Sequence, residues 1–142
     1  MSDRTIEDLR RKFWTQYLQN TKVVDEKPKF DSNLWVPMTE DNAVILSLGI
    51  RQTGGATVFL RGRINDPVDT AGPRLAPHEA ALRKKLSTAY KHEGDAKHPY
   101  YFRKANPKAD FSLPSRWPIV IDWFDKSVLL YRKVLSEVLK PS

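Results

Sequence analysis

Two short segments, Asp25-Glu26-Lys27 and Asp95-Ala96-Lys97, place a lysine two residues after a carboxylate. That is the local form in which metal-dependent nucleases hold a divalent cation and activate a water. Neither has an upstream Asp on a partner strand to complete a ligand set. His92-Glu93-Gly94-Asp95-Ala96-Lys97-His98 gathers ligand-type residues but matches no established metal spacing, and His78-Glu79 lacks the second His of a zincin. Gln52-Thr53-Gly54-Gly55 lacks the Gly-Lys-Ser/Thr ending of a phosphate-binding loop and reads as a turn. Asp122 and Asp125 are paired carboxylates on one helix, with Arg132 and Lys133 towards its other end. Helix-dipole electrostatics and an Asp122–Lys126 i,i+4 pair account for them without acid/base catalysis. No serine lies in a nucleophile elbow, and with no cysteine there is neither a thiolate nucleophile nor a disulfide. No catalytic, metal-ligating or cofactor-binding residue is assigned, and the chain reads as non-enzymatic.

Charge gives a different lead. Lys plus Arg outnumber Asp plus Glu by 24 to 17, for a net charge of +7. Such a balance favours an anionic partner, although it also serves solubility. If Val58 and Leu60 point into a core, Phe59, Arg61 and Arg63 point out, joined by Arg51 from the neighbouring strand. An aromatic side chain among arginines on an open sheet can stack bases and hold phosphates. A solvated outer face is the plainer reading. Lys84 and Lys85 are further candidates, on a helix whose cations Arg83, Lys84, Lys85, Lys91 and His92 are scattered around its circumference.

These residues need elements to position them. Ile6, Leu9, Phe13 and Tyr17 predict a first helix over Ile6 to Asn20, with Thr5 and Asp8 resembling a capping box. Leu34 to Met38, demoted to an edge by Pro37, Ala43 to Arg51 and Thr57 to Ile64 predict three strands. Val44, Leu46, Leu48 and Ile50 share one face of the second; Val58, Leu60 and Ile64 share one face of the third. A second helix is expected from Pro77 to Glu93 with Gly94 as its cap, then a strand over Tyr100 to Lys104. Ser115 is expected to cap a final helix running to Lys140.

That final helix carries the strongest pattern. Trp117, Ile121, Phe124, Val128, Tyr131, Leu135 and Val138 form one stripe, and Ile119, Trp123, Leu130 and Val134 a second beside it. Together they span an apolar arc of about 200°, roughly twice what a simple surface helix buries. The second row is therefore the expected interface for self-association or for a protein partner.

The expected fold is α+β and a single domain over residues 1–142. Its order is α-β-β-β-α-β-α: a small antiparallel sheet of three to four strands, helices packed on one face, and a long C-terminal helix. The opening MSDRTIEDLRRKFW is charged where a secretory leader is apolar, and no run reaches the roughly 20 apolar residues of a bilayer span. A cytoplasmic protein without a membrane partner is expected.

Phe13-Trp14 on the first helix, the strand pair, the helix ending at Gly94, the aromatic-basic strand Tyr100 to Lys104, and Trp117 with Trp123 form a set of landmarks. In these the chain resembles a bacterial family of small domains of unknown function, often fused to or encoded beside restriction-type nuclease modules. The resemblance transfers no catalytic residue and implies an accessory role beside nucleic-acid-processing or defence proteins. Two functions follow from the sequence. One is a non-enzymatic assembly domain, homodimeric through the C-terminal helix. The other is a basic accessory domain binding DNA or RNA through the arginine face of the hairpin.

Overall fold

Alternation along the strands decides which way the sheet faces. In the computed structural model of the chain, which describes residues 3–21, 23–24, 33–50, 55–63, 66–87 and 100–139, four strands form an antiparallel meander. They are β1 (Asn33–Pro37), β2 (Ile45–Ile50), β3 (Ala56–Arg61) and β4 (Tyr100–Asn106), in the order β1-β2-β3-β4. Register puts Leu34, Leu48 and Val58 in one cross-strand row and Val36, Leu46 and Leu60 in the next. All six are fully buried. β1 is an edge strand, where Pro37 is tolerated because its missing N–H falls on the unpaired side; Met38 N–H still donates to the Val44 carbonyl at 2.9 Å.

The inner face is covered by α4 (Trp117–Val138), with α1 (Asp3–Asn20) and α3 (Glu79–Leu86) along its flanks. Aromatic packing ties α1 to α4. The Phe13 ring meets Trp117 edge-on at 5.5 Å, and Trp14 stacks on Phe124 at 5.8 Å. On the opposite flank Leu82 and Leu86 are buried, and Lys85 Nζ lies 3.5 Å from Glu137. The buried residues of α4 (Trp117, Val120, Phe124, Ser127, Val128, Tyr131, Val134 and Leu135) cover an arc of only about 120° at 100° per residue. Half-buried Ile121, Trp123 and Leu130 widen it to about 180°. The breadth of the apolar arc thus corresponds largely to packing within the domain, against sheet, α1 and α3 together.

Helix boundaries differ from expectation at their caps. α1 starts at Asp3, so Thr5 lies inside it and is not its cap. A one-turn helix α2 (Gly72–Leu75) leads through a 3₁₀ turn, Ala76–His78, into α3. The second helical region therefore begins before Pro77. α3 stops at Ser87, which adopts the left-handed conformation at φ 55°; the expected cap Gly94 lies outside the described residues. Ser115 sits in a second 3₁₀ turn, Pro114–Arg116, and makes no cap; α4 follows with Pro118 in its first turn, where a missing N–H costs nothing.

Asp125 is the main revision on α4. It does not simply face water: it accepts hydrogen bonds from Tyr17 Oη at 2.9 Å and Thr21 Oγ1 at 2.6 Å. Asp122 is exposed and pairs with Lys126 at 3.0 Å, as the spacing predicts. No described helix is long and apolar enough to cross a membrane.

Candidate nucleic-acid interface

The other face of the sheet carries a second, smaller set of large side chains. Across the strands, Pro37, Ile45, Arg61 and Tyr100 form one row, and Trp35, Ser47 and Phe59 the next. Asn33, Gly49, Thr57 and Ala105 form the third. Trp35, Ile45, Phe59 and Tyr100 stand apart from the hydrophobic core, which is built from the opposite face and the helices. Trp35, Phe59, Arg61 and Tyr100 are all partly exposed.

Small residues floor this surface. Ser47 is fully buried and accepts from Asn33 Nδ2 at 3.0 Å. A Cβ on Gly49 would come within 2.9 Å of Thr57 Oγ1 and 3.2 Å of Asn33 Nδ2, so only glycine lets those side chains close over the strand there. The large groups then rise at the sides. Phe59 and Tyr100 pack with centroids 4.4 Å apart and rings tilted by 35°. Arg61 reaches back over β2 so that its Cζ lies 5.4 Å from the centroid of the Trp35 ring. That contact is a cation–π interaction, which fixes a long side chain flat on the sheet.

Arg61 is the electrostatic centre of the face. Its Nε donates to the carbonyl of its neighbour Gly62 at 3.2 Å. Among the described residues no carboxylate pairs with it, and no described group accepts from its terminal nitrogens. Half-burial pushes its pKa down, because desolvation disfavours the charged form. The four strands contribute Arg61, Arg103 and Lys104 and not a single Asp or Glu. A desolvated guanidinium with no counter-ion among the described residues is the arrangement an anionic ligand completes.

The structure thus brings Phe59 and Arg61 together and places Arg63, Lys84 and Lys85 elsewhere. Arg63 lies beyond the end of β3; its Nη1 is 3.1 Å from Asp66 Oδ2 and its Nη2 donates to the Asp41 carbonyl at 3.2 Å, so it braces the following loop. Lys84 and Lys85 are exposed on α3, on the helical side of the sheet, and Lys85 is paired with Glu137. Arg51 lies outside the described residues, as do His92, His98 and both carboxylate–lysine segments.

Two large side chains of this face escaped sequence reasoning: Trp35 and Tyr100. A signal for Trp35 existed. Leu34 and Val36 alternate with it, so a strand buried by the leucine and valine turns the tryptophan outward. Of the expected helix interface, Ile119 is 49 % exposed, Trp123 and Leu130 are half-buried, and Val134 is spent inside the domain at 4 %. No family model, curated protein or solved structure matches the chain.

Proposed function

We propose that this chain is a nucleic-acid-binding accessory domain that works through the outer face of its sheet rather than by catalysis. The carrying observation is Arg61: half-buried, held over Trp35, without a carboxylate partner among the described residues, and beside the Phe59–Tyr100 pair. Aromatic faces contribute stacking and the guanidinium contributes phosphate or base contacts. The net charge of +7 adds long-range attraction for a polyanion.

Fluorescence anisotropy of labelled oligonucleotides across a salt series tests the reading. Affinity falls as salt rises, because bound cations release counter-ions, and Arg61→Glu weakens binding about tenfold or more by replacing an attraction with a repulsion. Arg63→Gln and Lys84→Gln change it far less. Salt-insensitive binding, or an Arg61→Glu variant that binds like the parent, contradicts the reading. Binding of an acidic protein through the same residues in place of nucleic acid contradicts it as well.

A second reading, self-association through α4, rests on the partly exposed Ile119, Trp123 and Leu130. Light scattering at rising concentration tests it. A dimer dissociated by Trp123→Ala supports it; a monomer throughout removes it.

A further inference from the structure

We infer that the strand bound on the outer face is single-stranded, with successive unpaired bases seated at two stations, Phe59–Tyr100 and Arg61–Trp35. This rests on the reading of the outer face as a nucleic-acid interface and specifies which form of nucleic acid fits it.

Width argues first. Four strands at about 4.8 Å spacing put roughly 14 Å between the outer backbones alone. The major groove of a DNA duplex is about 12 Å wide and admits one helix or a two-stranded ribbon. A four-stranded sheet presenting its face therefore does not enter it. No described helix lies on this side to do so instead, since α1, α3 and α4 all pack on the inner face.

Spacing argues second. Phe59 and Arg61 are two residues apart on one strand and point to the same side. Their Cα atoms are about 6.6 Å apart at a rise of about 3.3 Å per residue. Bases within a duplex rise about 3.4 Å per step. Groups set at twice that interval receive bases that have come out of their stack, which a single strand provides at little cost.

The chemistry of the stations fits such bases. An aromatic ring and a guanidinium plane each offer a flat face, and every base has a π-face to set against it. Trp35 holds the Arg61 plane in place before the ligand arrives, so less side-chain freedom is lost on binding. The charge needed to follow a backbone is modest here, supplied among these rings by Arg61, which is fixed over Trp35. Affinity therefore depends on stacking as much as on salt.

The decisive comparison is a labelled oligonucleotide of about ten residues, single-stranded and as its own duplex, titrated by anisotropy at two salt concentrations. The single strand binds at least about tenfold more tightly. Trp35→Leu and Phe59→Leu each weaken single-strand binding about five- to tenfold while leaving its salt dependence unchanged, as expected for lost stacking. Leucine keeps an apolar cover on the sheet, and circular dichroism with thermal melting checks that both variants fold. A duplex bound as tightly as the single strand, or leucine variants that fold and bind normally, overturns this inference while the nucleic-acid reading stands. If neither form binds with salt-dependent affinity, the reading itself falls.

Discussion

The hydroxyl of Tyr17 donates to Asp125 Oδ1 across 2.9 Å, joining α1 to α4 through residues 108 positions apart in the chain. Thr21 donates to the same oxygen at 2.6 Å, one turn further along. Tyr17 is fully buried within the aromatic group formed with Phe13, Trp14 and Phe124. Asp125→Ala therefore leaves a buried hydroxyl without an acceptor and costs about 1–3 kcal/mol, whereas Tyr17→Phe costs about 1 kcal/mol because Thr21 still satisfies the carboxylate. Urea unfolding of both variants measures the difference. Equal losses would show that the two donors do not share Asp125 in this way.

Alkaline pH acts on the same region. Burial first, and the Asp125 charge second, push the Tyr17 pKa up from 10.0, and burial pushes Tyr131 up as well. With the folded-state values raised, the unfolded chain ionises first, so stability is held below pH 10.0 and falls as pH rises beyond it. A Tyr17→Phe, Tyr131→Phe double variant starts less stable and loses less per pH unit above that point. Parallel pH–stability curves would contradict this.

Acid pH acts elsewhere. Asp41 accepts from Thr39 Oγ1 at 2.8 Å and the Ala43 N–H at 3.1 Å, and is also held by Arg74. The Thr39 bond first, then the Ala43 and Arg74 contacts, lower its pKa from 3.8 to about 2. A depressed folded-state value means stability present above pH 3.8 and lost as pH falls towards 2. Asp41→Asn removes part of that acid sensitivity, and thermal melts at stepped pH read it.

Phe102 shows where a strand bends. Leu60 pairs with Tyr101 and Val58 with Lys104, so β4 carries one extra residue, and Phe102 takes φ 50° within that bulge. Its carbonyl accepts from Tyr131 Oη at 2.6 Å, fixing the bulge to α4. Tyr131→Phe leaves that buried carbonyl unpaired and costs about 1–3 kcal/mol, with faster amide hydrogen exchange at the bulge. Exchange confined to other regions would argue against the tie.

The order of elements and the inner faces of β2 and β3 were legible from alternation alone, because Val44, Leu46, Leu48 and Ile50 leave a sheet no other way to turn. The breadth of the α4 arc was legible too, but its meaning was not. Whether a second apolar row meets α3 or a second chain depends on where α3 lies, and no local pattern encodes that position. Asp125 looked like helix electrostatics for the same reason: its partners are on α1. Of the candidate site, Phe59 and Arg61 could be read from their strand, while Trp35 and Tyr100 join them only through cross-strand register.

The most direct test maps the ligand onto the protein. In a titration of the isotopically labelled chain with a short single-stranded oligonucleotide, resonances of Trp35, Phe59, Arg61 and Tyr100 shift in a saturable way, the Trp35 indole N–H and Arg61 Nε–H foremost, while those of Lys84 and Lys85 hold still. Saturable shifts confined instead to Ile119, Trp123 and Leu130, or none at all, would contradict the account.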